Sequence, residues 1–274
     1  MSPRFIVFLA ASLLLSPFVR GEDEGPPAWM KEVTRLPPGG CVNLRPVKLE
    51  YNLSWNNRVN AGKFQISIER AGDENENFIG DASGQSSGFA RVLWPYDFKA
   101  RSIVDQSSLR PIFFQLSERD RNTITSYDII FESERQVYTT TAQSKDESAR
   151  TNTARFQFDF GQDILSSAFY LRSMPLETGE QISMIVTPFN RPYLANLRVM
   201  GKETRKIKGT SYSTIRLDVQ IGKINHDLSL KTYDHIKQTS LWVTNDEYRI
   251  PLELQSQISV GYISARLVDL EWLE

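Results

Sequence analysis

The chain has 274 residues, of which 40 % are hydrophobic and 24 % charged, with a formal net charge of −1. This is enough apolar content to bury a core, in one large β domain or two small ones. A charge so near balance excludes the basic stripe that nucleic acid requires and argues against a polybasic membrane-surface patch.

Arg4 is followed by an apolar run over residues 5–15, the length of a signal-peptide core and too short to span a bilayer. Pro17 breaks the run, and Val19 and Gly21 place aliphatic and small residues at −3 and −1 of a cleavage site. Residues 1–21 are therefore expected to be a cleaved signal peptide that sends the chain to the periplasm or cell envelope of a bacterium. The residue directly after the site is Glu22, not cysteine, so no lipid-anchored product is expected, and no later apolar run is long enough for an integral span. The lone cysteine, Cys41, cannot form an internal disulfide. Its setting, Pro37-Pro38-Gly39-Gly40, leaves an intermolecular bridge open beside the reading of a merely tolerated thiol. Residues 22–47 are rich in Pro, Gly and charge without a period, and read as an extended arm before one β-rich domain over 48–274.

That domain opens on a hairpin. Leu49, Tyr51, Leu53 and Trp55 alternate with Lys48, Glu50, Asn52 and Ser54, and Phe64, Ile66 and Ile68 alternate with Lys63, Gln65, Ser67 and Glu69. Strand side chains alternate faces, so each arm has one apolar side. The turn over residues 56–62 is rich in Asn and Gly, which tolerate positive φ. Residues 72–77 read as an acidic, solvated turn without the spacing of a calcium loop. Gly80, Gly84 and Gly88 then stand four apart, a pattern of a loop or bulged strand, before an apolar run of uncertain type over 89–94. Short strands are expected over 101–105, 112–116, 127–132 and 137–141, a mobile loop over 142–152, and a strand over 155–160.

One segment changes period. Ile164, Leu165, Ala168, Phe169 and Leu171 recur at helical spacing, with Asp163 as N-cap, Arg172 at the negative end of the dipole and Pro175 closing the segment. The spacing predicts one short helix near 163–173, lying on the sheet. Strands resume at Ile182, at Ala195, at Ile215 and through residues 241–243, 249–254 and 258–273, with Pro251 marking an edge or a strand start. The expected fold is mainly β: a large curved antiparallel sheet (half-barrel, barrel-like or sandwich) with that one helix.

Several short motifs share one pattern. Tyr51, Trp55 and Ala61-Gly62; Asp105 with Leu109 and Pro111; Asp163, Leu165 and Ser166 followed by Tyr170-Leu171-Arg172; Gly201 and Glu203; and Leu241-Trp242-Val243-Thr244-Asn245-Asp246 with Arg249 and Pro251 occur in order over residues 48–270. In this the chain resembles a bacterial exported family, domain of unknown function 3108. The resemblance implies a β-rich envelope protein of unestablished activity and carries no catalytic residues to transfer. It marks Tyr51, Trp55, Gly62, Asp163, Ser166, Tyr170, Arg172, Trp242, Asp246 and Pro251 as positions whose role is open. A likeness to half-barrel carriers of lipids or lipoproteins is a fold-level analogy.

The chemistry the residues offer is sparse. Gly84-Gln85-Ser86-Ser87-Gly88 matches the serine-hydrolase elbow in form, with His226 and His235 downstream, but a glycine-rich connector explains it as well. The two histidines lack zinc spacing, no phosphate loop is present, and no cofactor is implied. Asp163, Ser166 and Tyr170 share a helix face and either line a ligand mouth or pin the helix to strand backbone. The leading expectation is a non-catalytic binding or envelope-maintenance protein whose concave sheet holds an apolar or amphipathic partner: a lipid, a lipoprotein or another envelope component. The alternatives are an enzyme acting on envelope glycans through carboxylates the sequence does not pair, and an outer-membrane barrel, against which the uneven strands and polar inserts argue.

Overall fold

A computed structural model describes residues 26–34, 44–72, 77–133, 135–145, 147–158, 160–233 and 238–273. The expected leader, Cys41, His235 and the acidic residues at 73–76 lie outside the described residues.

The first half of the chain is a meander. Strands β1 (Val47–Trp55), β2 (Val59–Arg70) and β3 (Asn77–Ser86) are followed by the short helix α1 (Gly88–Leu93). Strands β4 (Tyr96–Asp105), β5 (Pro111–Asp120), β6 (Thr123–Phe131), β7 (Gln136–Ser144) and β8 (Arg150–Phe156) complete it. After β9 (Gln162–Asp163) comes helix α2 (Ile164–Ser173). Then follow β10 (Gln181–Thr187), the long hairpin β11 (Tyr193–Ile207) and β12 (Thr210–Ile224), and β13 (Leu230–Thr232). Strands β14 (Gln238–Thr244), β15 (Pro251–Gln257) and β16 (Tyr262–Trp272) end the chain.

All sixteen described strands belong to one open sheet in the order 8-7-6-5-4-3-2-1-16-15-14-12-11-10-9, with β13 beside β12. Every described pair is antiparallel except β9–β10. The last strand pairs with the first, Val47 opposite Trp272, and this seam joins the two halves. The sheet curls like a scroll, its β9 edge tucked inside: Asp163 at that edge accepts a 2.6 Å hydrogen bond from Ser102 on the inner face of β4.

Alternation explains why the sheet has one greasy face. In β4 Tyr96, Phe98, Ala100, Ser102 and Val104 are buried, and the residues between them are not. Helix α2 lies inside the curl with Leu165, Phe169, Tyr170 and Leu171 buried. Phe169 packs edge-on to Phe78 and is fully buried; removing such a ring from water stabilises by about 2–3 kcal/mol. Gly80 makes room for it, since a Cβ there would lie 3.0 Å from the Phe169 ring and 3.4 Å from Leu165.

The curved antiparallel sheet and the helix over 163–173 stand as expected, with five differences. The glycine-spaced stretch is not a loop: Gly80 and Gly84 sit in the regular strand β3, each where a side chain would collide with the core, and Gly88, at φ 55°, opens α1. The apolar run after it is a second helix. The alternation at 155–160 ends as a strand at Phe156, yet Phe156, Phe158 and Phe160 are all buried, because the chain leaves the sheet edge there to enter the interior. The 142–152 stretch is mostly strand, β7 and β8 leaving only a short connection between them. The arm is also partly structured: residues 28–32 form a 3-10 turn, Trp29 Nε1 donates to Leu228 O, and Thr34 N donates to Ser183 O.

Candidate binding surfaces

The positions marked by the family pattern fall into three places. At the start of α2, Asp163 accepts from the Leu165 and Ser166 amides at 2.7 and 3.0 Å, while Ser166 Oγ accepts from Asp163 N at 2.9 Å, a reciprocal cap. Both residues are fully buried, and burial raises the Asp163 carboxyl above its ordinary value against the pull of Ser102 and the cap amides. These side chains therefore pin the helix rather than line an opening. Tyr170, on the same helix, is buried edge-on to Phe160 at 6.1 Å.

At the other end of α2, Arg172 is 3 % exposed and donates from Nε to Tyr248 O at 2.9 Å. Its two terminal nitrogens have no hydrogen-bond partner among the described residues. Burial lowers its pKa to about 10, opposed by Tyr51 and Asp246. Tyr51 stacks on Phe64 at 4.8 Å, and its hydroxyl donates to Pro251 O at 2.8 Å. Asp246 shapes the β14–β15 turn by accepting from Thr244 Oγ1, Tyr248 N and Arg249 N. Tyr51, Arg172, Asp246 and Pro251, spread over the whole sequence, thus form one neighbourhood that ties the helix end to this turn.

The remaining marked residues lie apart. A Cβ at Gly62 would stand 2.6 Å from Gln85 O of the next strand. Trp55 is half-exposed and donates from Nε1 to Val260 O. Trp242, on the opposite face of the sheet from the core helix, lies under the Arg205 guanidinium at 4.0 Å and donates from Nε1 to Glu203. Arg205 and Arg266 both bond the fully buried Glu253, at 2.9 and 3.0 Å. These contacts fold the tip of the β11–β12 hairpin over β14, β15 and β16, and Lys208 at the tip donates to Val268 O.

Beside that folded tip an open trough of ≈ 590 Å³ runs across the polar face of β1–β6. Register builds it. One cross-strand row reads Asn52, Lys63, Gln85, Asp97, Arg119, Ile124; the next reads Glu50, Gln65, Ser83, Lys99, Ser117. Val268, the extra residue of the bulge in β16, reaches the same trough. Sequence reasoning did not find these residues. Each is only the polar member of an alternating pair, and nothing short of the register shows that Lys63, Lys99 and Arg119 share one surface. Asp97 is held by Arg91, 2.6 Å away.

The hydrolase-like serine is not a nucleophile. Ser86 is buried at the end of β3, donates to Trp94 O at 2.8 Å and accepts from Tyr96 N at 3.0 Å, closing the α1 connection. His226 stacks on Phe156 at 4.9 Å. Among the described residues no group of three or more His, Cys, Asp or Glu is placed to hold a metal ion, and no helix is long and apolar enough to cross a membrane.

A one-sheet scroll with a buried helix is the class of fold in hand. The chain belongs to a family of proteins of unknown function, DUF3108, whose model matches residues 50–268. No curated protein matches it. Among solved structures it is similar to a beta-barrel-like protein of domain of unknown function DUF1849 from Brucella abortus, with TM-score 0.57 and 11 % identity, over 85 % of this chain and 100 % of that one. A protein with a YmcC-like fold from Bacteroides fragilis matches at TM-score 0.35 and 5 % identity, over 84 % of this chain and 97 % of that one.

Proposed function

We propose that the protein is exported to the bacterial envelope, with residues 1–21 as its leader, and works there as a non-catalytic binding protein. The trough is the seat of its partner, an amphipathic envelope component with an acidic group, such as a lipid or lipoprotein. One observation carries this reading: register brings Lys63, Lys99 and Arg119 into one open trough together with Ile124 and Val268. The concave side of the sheet, the first place to look for an apolar partner, is filled by α2 and its aromatic neighbours. This supports a seat for the partner on the polar face instead.

The glycan-acting alternative is disfavoured in this trough. Its carboxylates, Glu50 and Asp97, stand three strands apart, about 14 Å at ~4.8 Å per strand, beyond the ~9.5 Å limit for an acid–base pair. The test uses cis-parinaric acid, an anionic fluorescent amphiphile. The protein is expected to bind it saturably, and charge reversal of Lys63, Lys99 and Arg119 to Glu is expected to weaken binding ~10-fold or more. Equal binding by the reversed variant would remove the trough from the account.

A further inference from the structure

Among the connections at one end of the scroll, the β1–β2 turn, the α1 connection between β3 and β4, the β5–β6 turn and the β15–β16 turn are tied together by hydrogen bonds from Trp55 to Val260 O, from Ser87 N to Ala61 O and from Arg121 to Leu93 O. Buried side chains point inward almost everywhere else, but α1 is inside out. Its Ala90 packs on Leu53 and Ala61, whereas Phe89, Val92 and Leu93, spaced i, i+3 and i+4 on one face, are 69 %, 77 % and 58 % exposed. On neighbouring connections of the same end Val260 is 69 % exposed, and Trp55 and Val59 are paired across the β1–β2 turn at about 40 % each. Single exposed apolar side chains are ordinary; six at one end of a molecule are not.

The knob is rigidly mounted. Ser87 N donates to Ala61 O, Trp94 is buried at the helix exit with its carbonyl held by Ser86, and Arg121 donates to Leu93 O. Charge on the connections around α1 leans to the basic side. Residues 56–62, 87–95, 121–123 and 258–261 contain Arg58, Arg91 and Arg121 and no Asp or Glu. Arg91 is matched by Asp97, which leaves Arg58 and Arg121 as the cations beside the apolar tips. The near-neutral total hides this local asymmetry.

We propose that this end docks on an anionic lipid surface, with Phe89, Val92, Leu93 and Val260 entering the headgroup boundary and Arg58 and Arg121 against the headgroups. A rigid apolar tip flanked by two cations, with the adjoining acids Asp97 and Asp120 bonded within the fold, fits such a surface, and Trp55 suits the boundary itself. The surface is separate from the trough.

The experiment is co-sedimentation of the full protein with phosphatidylcholine vesicles, with and without a quarter of phosphatidylglycerol. Binding to the anionic vesicles is expected, reduced ~10-fold or more by Phe89→Ser with Val92→Asp, and reduced toward the neutral-vesicle level by Arg58→Glu with Arg121→Glu. The Lys63, Lys99 and Arg119 reversal should leave it within about twofold, which separates this surface from the trough. Every changed side chain is exposed, so urea unfolding should be unaltered apart from a small loss where Arg121→Glu removes the bond to Leu93 O, and it serves as the check on folding. Failure of the wild type to sediment with either vesicle, or binding indifferent to Phe89→Ser/Val92→Asp, overturns the proposal. So does light scattering that shows a dimer split by Val92→Asp, which would assign the end to a second copy of the chain.

Discussion

Asp163 shows how much one residue can do when the chain around it is folded inward. Its carboxylate caps α2 and anchors that helix to β4 through Ser102, but burial raises its pKa. The folded state therefore holds the proton more tightly than the unfolded chain. Stability is fullest below the ordinary carboxylate value and is lost as pH rises through the raised one. Asp163→Asn keeps a cap and removes the charge, so its stability should be flat across that window, whereas Asp163→Ala should cost about 1–2 kcal/mol; urea unfolding at several pH values measures both. Arg172 is the complementary case, a buried cation with two unpartnered nitrogens. Arg172→Met keeps the packing and removes the buried charge, so it should be near neutral in stability, whereas Arg172→Ala should cost about 2–3 kcal/mol through the cavity it leaves. The cap was legible because its partners are two and three residues away. The partners of Arg172 stand 74 or more residues away along the chain, where no local pattern reaches.

Elements were legible where period and length agreed. The β1–β2 hairpin and α2 satisfy both conditions. Helix α1 escaped because six residues are too few to show a period, and its stripe faces solvent, the reverse of what a core-facing helix would print. The β11–β12 hairpin was legible as strands, but its folded tip was not, since a strand's curl depends on distant partners. Glu253 is the fastening for that tip, buried between Arg205 and Arg266. Glu253→Gln would leave two guanidinium groups facing a neutral amide. It should cost about 2–4 kcal/mol and raise amide hydrogen exchange in residues 203–210, while α2 stays protected. Exchange mass spectrometry reads both regions in one sample.

For the molecule as a whole, alternation foretold a curved sheet with one buried face but not the order of its strands. That order turns on the β1–β16 seam, which joins residues more than 200 positions apart. The trough and the apolar end are consequences of register and order, so neither could be read in advance. Because both halves share one sheet and one core, they should unfold together. Variants retaining only Trp94, in the first half, or only Trp242, in the second, should give coincident urea transitions by fluorescence and circular dichroism; two separated midpoints would mean two independently folding halves. The scroll also bears on contacts between copies of the chain. A strand with an unpaired rim invites a neighbour to add on, and an open sheet has two such rims. Here the chain spends one of them on itself, hiding β9 within the curl, and the other, β8, begins at Arg150 and carries Arg155 near its close, with its first four residues all exposed. Arg155 of one copy would face Arg155 of another across that border, so edge-to-edge stacking into filaments is opposed on one side by enclosure and on the other by like charge.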